Sequence, residues 1–231
     1  ETQDASLALR CPLHLVLVGL GGKKDTVVIL GDLQHAHAQA CERIGEALDE
    51  EREDAWEGEG GEEGRIRARG KATSDDPERE PTSPPSPSSP TSPLGRQHRQ
   101  TAELQAALVA LLGRDNARLC RRAREAMEAG DAAALGALMT ESQVAFDAVA
   151  GPLCPRQLGP RGSPLLGALL RDSRLEELVW GGKGVGSQGD GTAQLLCRSA
   201  EAQRAVVDLL RGEGKTCLTL TLLPQEGPGL A

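Results

Sequence analysis

The pattern of apolar and polar positions divides the first part of the chain into a strand and a helix. A short apolar run with β-branched residues at 13–18 is followed by glycines, which predicts a buried strand that ends in a turn. The next segment predicts a helix over residues 26–41, with Asp25 or Thr26 as its N-cap. Because residues 27–30 are all apolar and mostly β-branched, a second strand there remains an alternative.

Helical periodicity dominates the middle of the chain. Leucines spaced i, i+4, i+7 and i+8 predict a helix over residues 101–112. Asp115 is placed to cap a second helix, which Gly130 can end. Asp131 can then cap a third helix, and a short further helix is predicted at 165–170.

The last third of the chain contains the remaining strands. Residues 175–180 and 192–197 are apolar and strand-like on either side of a glycine-rich stretch, so that stretch is predicted to join two strands. A helix over 200–211, capped by Ser199, and a strictly alternating, half-buried strand over 215–222 follow. Together the elements predict an α+β fold, with helices packed on one face of a small antiparallel sheet.

Between these parts the apolar pattern is lost. Residues 47–98 are first acidic and glycine-rich and then rich in Pro and Ser, so they cannot bury enough apolar surface to offset chain entropy. We predict a disordered insertion at 47–98, between a strand and helix at 1–46 and the main domain at 99–224. Residues 225–231 are predicted to be a loose tail. Most of the net charge of −8 belongs to the acidic part of the insertion.

Composition narrows the classes of partner. The chain has one Phe, two Trp and no Tyr, so it lacks the stacking platforms of single-stranded nucleic-acid binders, and nucleic acid is not an expected partner. We expect no membrane contact, because no apolar run approaches the ~18 residues of a membrane span. Six scattered cysteines without CxxC spacing indicate reduced thiols of an intracellular, cytoplasmic protein. The chain begins at Glu1 and its first methionine is Met127, so we expect a processed product or part of a longer protein.

The candidate chemistry lies in the stretch 181–191, where six of eleven residues are glycine. Successive exposed N–H groups in such a stretch suit an anion such as phosphate, and Lys183 is the cation within it. The structural alternative is a tight hairpin that binds no ligand. A GxGxxG pattern at Gly184, Gly186 and Gly189 does not predict a dinucleotide site, since a strand rather than a helix is expected to follow.

A second group of polar residues could suggest a metal site. His35, His37 and Cys41 lie within the first predicted helix. Positions i and i+2 of a helix point apart, and the spacing matches no common zinc pattern. We therefore predict no metal site there.

One longer segment resembles a known motif. Residues 180–191, Trp-Gly-Gly-Lys-Gly-Val-Gly-Ser-Gln-Gly-Asp-Gly, resemble the third conserved motif of GHMP kinases, a family that includes galactokinase and mevalonate kinase. The resemblance extends back through residues 128–139 to the strand at 13–18 and to residues 23–26, so it covers nearly everything outside the insertion. It implies a ferredoxin-like GHMP kinase C-terminal domain. The family transfers phosphate from ATP, with Mg²⁺, to a hydroxyl of a small-molecule substrate such as a sugar.

The resemblance also implies roles for individual residues. In this family the third motif folds over the active-site cleft and supports the phosphates. The positions that carry over are Lys183, Gly184, Gly186, Ser187, Gly189, Asp190 and Gly191. Because a carboxylate would repel a phosphate, Asp190 is expected to hold the loop or to contact a substrate hydroxyl. Lys23, Lys24 and Asp25 are possible further contacts in the cleft, and the alternative is an exposed helix start.

Two other family motifs have no counterpart in this chain. They are the main ATP-phosphate loop, Pro-x-x-x-Gly-Leu-x-Ser-Ser-Ala, and the segment that carries the catalytic aspartate. Both belong to the N-terminal half of these kinases, so no catalytic residue is assigned here. We expect a C-terminal domain that is inactive alone. The alternative is a non-catalytic nucleotide- or metabolite-binding module that has lost the catalytic half.

Overall fold

A computed structural model describes residues 9–60 and 93–224 of the chain, and it contains one antiparallel sheet. The strands are β1 (Leu13–Gly19), β2 (Val179–Gly184), β3 (Thr192–Cys197) and β4 (Thr216–Leu222). They lie in the order β2-β3-β1-β4, so β1 and β3 are central and β2 and β4 are the edges. The register places Val16 opposite Leu195 and Leu15 opposite Leu220.

Helices make up most of the rest of the described chain. The longer ones are α1 (Thr26–Gly60), α2 (Pro93–Ala110), α3 (Asn116–Ala129), α4 (Ala132–Leu153) and α7 (Ala200–Gly212). Two short helices, α5 (Gly159–Gly162) and α6 (Pro164–Leu170), precede β2. The resulting arrangement is α+β, as the sequence predicts.

Alternation within the strands directs apolar side chains to both faces of the sheet. The helices α6 and α7 cover one face of the sheet. The most buried side chains of the apolar cluster on this face are Val16, Val18, Leu166, Ala193, Leu195, Val206 and Leu210. On the opposite face, Leu13 and Leu196 form a second cluster with Met139 of α4. The expected placement of helices on one face therefore holds for α6 and α7, whereas α4 packs against the other face.

A third apolar cluster joins the helices to one another. Ile29 of α1, Leu108 of α2 and Ala150 of α4 are each fully buried in it. Leu158, in the segment between α4 and α5, closes the cluster. This cluster holds the start of α1 next to the end of α4.

Three predicted helix caps are confirmed. The side chains of Asp25, Asp131 and Ser199 each accept a hydrogen bond from the backbone N–H three residues later, at 3.0, 2.8 and 3.1 Å. Gly130, which ends α3, has φ of 74°, in the left-handed region that favours glycine.

Helical backbone extends into both ends of the predicted insertion. The helix α1 continues to Gly60, so residues 27–30 are not a strand and residues 47–60 are helical. Residues 93–98 are helical as well, because α2 begins at Pro93. Glu and Ala are good helix formers, and helix propensity prevails here over low apolar content. Residues 61–92, the rest of the predicted insertion, lie outside the described residues, as do 1–8 and 225–231.

Asp115 does not cap a helix. It ends a π-helical turn, Leu111–Asp115, that joins α2 to α3, and its φ and ψ of −74° and −39° are helical. No hydrogen bond from its side chain caps α3. A π turn absorbs an extra residue without ending a helix, so the two predicted helices are continuous.

The two edge strands also differ from expectation. A 3₁₀ turn, Ser173–Leu175, occupies the start of the predicted strand at 175–180, and β2 runs from Val179 into the glycine-rich stretch. At the other edge, the half-buried strand predicted at 215–222 is β4, but Cys217 is its one buried residue. The burial of the two edges differs because α4 lies against β2, whereas the leucines of β4 are exposed.

Candidate functional site

The loop 185–191 connects β2 to β3 at one end of the sheet. The Val185 N–H donates to the Thr192 carbonyl at 2.9 Å, and the Gln188 N–H donates to the Val185 carbonyl at 3.2 Å. Three of its residues have left-handed φ values, which are 62° at Gly186, 66° at Gln188 and 73° at Gly189. Gln188 is the one residue other than glycine with such a φ in the described ranges. The loop is therefore a defined, strained turn rather than a generic flexible linker.

Most glycines of the stretch are needed for packing within the protein. A Cβ on Gly181 would overlap the carbonyl oxygen of Gly136 in α4, and a Cβ on Gly184 would overlap the side-chain oxygen of Gln188. Gly186 differs, because a Cβ there would meet no atom within 4 Å. Gly186 is thus the glycine of this stretch whose backbone is open to an approaching ligand.

Two backbone donors at the tip of the loop remain available. Within the described part of the chain, the N–H groups of Gly186 and Ser187 donate to no backbone carbonyl, whereas Gly189 is buried. The Ser187 hydroxyl lies 3.4 Å from the hydroxyl of Thr26, at the start of α1. The open side of the loop therefore combines free N–H donors with hydroxyl groups, a set that suits phosphate oxygens.

The cation held against the loop is Lys24. Its Nζ donates to the Val185 carbonyl at 3.3 Å, and its side chain crosses Gly191, where a Cβ would lie 2.8 Å from Cδ. Burial lowers the pKa of the Lys24 ammonium. Lys183 instead lies in β2, opposite Gln194 of β3, and burial lowers the pKa of its ammonium as well. The structure thus brings Lys24 to the loop, whereas Lys183 lies in β2, two residues before the loop begins.

Two acidic side chains are structural. Asp190 is buried, and its Oδ1 accepts a hydrogen bond from the Leu166 N–H at 2.8 Å. Its carbonyl accepts from the Gly22 N–H at 3.2 Å, so Asp190 fastens the loop to α6 and to the turn after β1. Asp25 caps α1, and its own N–H donates to Gln157. Lys23, two residues before Asp25, is exposed to solvent.

Two glutamines that sequence reasoning did not single out support the loop. Gln143 of α4 is 4% exposed and accepts a hydrogen bond from the Gly184 N–H at 2.7 Å. Gln188 is 7% exposed, and its Oε1 is the one buried side-chain N or O atom in the described chain that lacks a hydrogen-bond partner. Neither residue type marks a site in a sequence, and the pattern around them gives no signal of these contacts.

The structure also gives the geometry around two other motifs. A strand, β3, begins directly after Gly191, so the GxGxxG pattern lacks the helix that a dinucleotide site requires. His37 Nδ1 and Cys41 Sγ are 3.7 Å apart on α1, and the described residues contain no group of three His, Cys, Asp or Glu side chains able to hold a metal. None of the described helices is both long and apolar enough to cross a membrane.

Comparison with known proteins identifies the fold. No protein-family model matches the chain, and no curated protein matches it. Among solved structures, Lactococcus lactis galactokinase complexed with galactose is similar at 15% identity and a TM-score of 0.52, over 96% of this chain and 47% of that chain. L. major mevalonate kinase in complex with R-mevalonate is similar at 18% identity and a TM-score of 0.47, over 96% of this chain and 45% of that one.

The similarity to galactokinase concerns the fold. It confirms the expected α+β fold, a small antiparallel sheet with helices, which the chain shares with part of that galactokinase. The chain spans less than half the length of each of these solved structures.

Proposed function

We propose that this chain is the C-terminal part of an ATP-dependent GHMP-type small-molecule kinase, and that its loop 185–191 contacts phosphate groups of ATP or of a phosphorylated substrate. The observation that carries the proposal is the open backbone at Gly186, with free N–H donors on one side and Lys24 beside it. The acceptor would be a hydroxyl of a sugar or a related alcohol, and such a metabolic enzyme would work in the cytoplasm.

The chemistry of the loop fits phosphate. Phosphoryl transfer depends mainly on positioning and on neutralising the charge of the phosphate oxygens, which backbone N–H groups and a lysine can both provide. Burial destabilises the ammonium of Lys24, and an anion bound beside it would offset that desolvation. Lys24 therefore gains from a bound phosphate in a way that the exposed Lys23 does not.

The loop offers nothing comparable for Mg²⁺. This cation prefers oxygen ligands and is usually bound through one or two carboxylates together with phosphates. The single carboxylate of residues 181–191 belongs to Asp190, which is buried and already accepts the Leu166 N–H. Residues of this chain would thus hold the phosphates, and the metal ligands would come from elsewhere in the kinase.

The first test is binding of ATP and of inorganic triphosphate to the chain, measured by isothermal titration calorimetry. We expect Gly186→Val to weaken binding at least about tenfold, since its side chain fills the open space and strains a left-handed residue. Lys24→Met should weaken both ligands similarly, because each loses a charge-assisted contact worth about 1.5–3 kcal/mol.

Matched controls separate loss of the site from loss of the fold. Gly214 also has positive φ, 78°, and open space around it, but it lies in the turn between α7 and β4. Gly214→Val should strain the backbone equally and leave binding intact, and Lys23→Met should behave like wild type. Equal binding by Gly186→Val and wild type would show that the loop is only a structural hairpin.

A non-catalytic binding module is the second candidate. It is favoured by the composition of the loop, because the open backbone at Gly186 and the neighbouring Lys24 can bind an anion without a catalytic group. Phosphorylation assays on the natural full-length product, with galactose and mevalonate as acceptors, distinguish the two functions. ATP consumption that depends on an acceptor supports the kinase, and ATP binding without turnover supports the module.

A further inference from the structure

A cavity of about 630 Å³ lies at the outer edge of β2, away from the loop. It is lined by α4, by the segment from α6 to β2 and by the first residues of β2 itself, and it is open to solvent on one side. Small-molecule sites usually occupy about 300–1,000 Å³, so the cavity has the volume of a ligand site. None of residues 185–191 lines it.

The walls combine an apolar surface with two available charged groups. Leu170, Leu175 and Trp180 supply the apolar side. The exposed side chain of Arg171 has no hydrogen bond or ion pair within the described chain, and its guanidinium lies over Gly167, where a Cβ would be 3.0 Å from Nη2. Asp147 lies close enough to Arg171 for an electrostatic interaction, and one of its carboxylate oxygens accepts a hydrogen bond from Gln143 at 3.0 Å.

Of the other charged residues of the lining, Arg198 and Asp172 are already engaged, and Glu176 is exposed to solvent. The guanidinium of Arg198 lies 4.2 Å from the centre of the Trp180 ring and donates to two backbone carbonyls. Asp172 is paired with Arg174. Burial raises the pKa of Asp147, with Gln143 and Arg171 opposing the shift. A bound hydrogen-bond donor would stabilise the Asp147 carboxylate, as an anion would stabilise Arg171.

Contacts connect the cavity to the loop. Gln143 donates from Nε2 to Asp147 in the cavity and accepts at Oε1 from the Gly184 N–H at 2.7 Å. Gly184 in turn packs against the Gln188 side chain of the loop. A group that moved Asp147 would therefore act on Gly184 through one amide, because Gln143 is buried and joins both.

We propose that this cavity binds a small amphipathic acid, and that its occupancy is transmitted to loop 185–191 through Gln143. The anionic group of the ligand pairs with Arg171, a hydroxyl or ammonium donates to Asp147, and an apolar body of a few carbons packs against Leu175 and Trp180. The site is distinct from the phosphate contacts proposed for the loop.

Trp180 provides a direct readout of binding, because it lines the cavity and Trp56 is the only other tryptophan. In the Trp56→Phe chain, titration with 2-hydroxy-4-methylpentanoate or leucine should change Trp180 emission with saturation. The same change should need at least about tenfold more 4-methylpentan-1-ol, which lacks the acid, because a charged hydrogen bond is worth about 1.5–3 kcal/mol. Arg171→Gln should weaken acid binding by a similar factor.

Control variants and a second readout keep the test decisive. Arg204→Gln changes an exposed arginine of α7 outside the cavity and should bind like the parent chain. In ¹H–¹⁵N spectra of the wild-type chain, the acid should shift the Gly184 amide resonance but not that of Gly214.

Two results would overturn the binding site: no saturable change in Trp180 emission up to about 10 mM acid, a range of very weak binding, or equal affinity in Arg171→Gln. Saturable binding with an unmoved Gly184 resonance would refute the coupling through Gln143.

Discussion

The two edge strands of the sheet, β2 and β4, have opposite sequences and opposite surroundings. β4 alternates Thr and Leu, yet its Leu218 and Leu220 side chains are 64% and 45% exposed. β2 contains three glycines among its six residues, a poor strand sequence, yet Gly182 and Gly184 are buried. The strand with the weaker pattern is therefore the better protected one.

The helix α4 accounts for this difference. It approaches β2 so closely that a Cβ on Gly136 would lie 2.5 Å from the carbonyl carbon of Trp180. Gln143 of the same helix accepts the outward N–H of Gly184, which satisfies a donor at the sheet edge. Glycines in β2 thus permit close helix packing. The leucines of β4 have no such helix over them among the described residues.

Breaking the contact between α4 and β2 should have the largest effect. Gly136→Ala places a methyl group against the backbone of Trp180, and neither backbone can yield easily, so we expect a loss of about 3 kcal/mol or more. The free energy of unfolding in urea measures the change. The loss should be accompanied by disorder of β2 in hydrogen exchange.

Gly31→Ala is the matched control for this replacement. Gly31 is also a helical glycine, but a Cβ there would meet nothing within 4 Å. Alanine has the higher helix propensity, so this variant should gain about 0.5–1 kcal/mol. If both variants lost stability equally, close packing would not explain why position 136 is glycine.

The second prediction compares two buried glutamines that serve the two halves of the sheet. Gln143→Leu leaves the Gly184 N–H without an acceptor, which should cost about 1–3 kcal/mol. Gln203 of α7 donates to the carbonyls of Leu15 and Leu220 at 2.8 and 3.2 Å. Carbonyls have two lone pairs and tolerate incomplete bonding better than N–H groups, so Gln203→Leu should cost about 1 kcal/mol or less.

Urea unfolding of the two glutamine variants ranks these costs directly. A larger loss for Gln203→Leu than for Gln143→Leu would contradict the view that the β2 edge depends on a single side-chain acceptor. Hydrogen exchange at the Gly184 amide should rise in Gln143→Leu and stay unchanged in Gln203→Leu.

The elements that local chemistry determines were predictable from the sequence. Helix caps at Asp25, Asp131 and Ser199 follow from side chains that bond to a backbone three residues away. The hairpin after Gly184 was predictable for the same reason, since dense glycine flanked by apolar runs is a local signal. Contacts of α4 with β2 join residues about forty positions apart and leave no such local trace.

The candidate site, too, was predictable only in the part that local sequence determines. The sequence identifies the glycine-rich stretch as special, but it cannot separate Gly186, which is open, from Gly184 and Gly191, which are packed against side chains. The sequence pattern indicates Lys183 as the cation of the site because that residue lies within the glycine-rich stretch. Lys24, 161 residues before Val185, reaches the loop only because β1 and α1 fold beside it. Roles that depend on tertiary packing therefore had to come from the structure.

The smallest effect is expected on the open face of β4. The double variant Leu218→Thr with Leu220→Thr extends the existing Thr pattern at two exposed positions, so the free energy of unfolding should change by about 0.5 kcal/mol or less. By contrast, Leu195→Thr at a 1% exposed position of β3 should cost at least about 2 kcal/mol.

Sedimentation velocity, run beside the urea titrations, should find wild type and double variant at the same mass. A loss above about 1 kcal/mol in the double variant, which is more than exposed positions normally show, would mean that this face is covered in solution. In that case both edge strands would be covered, β2 by α4 and β4 by another surface that contacts it.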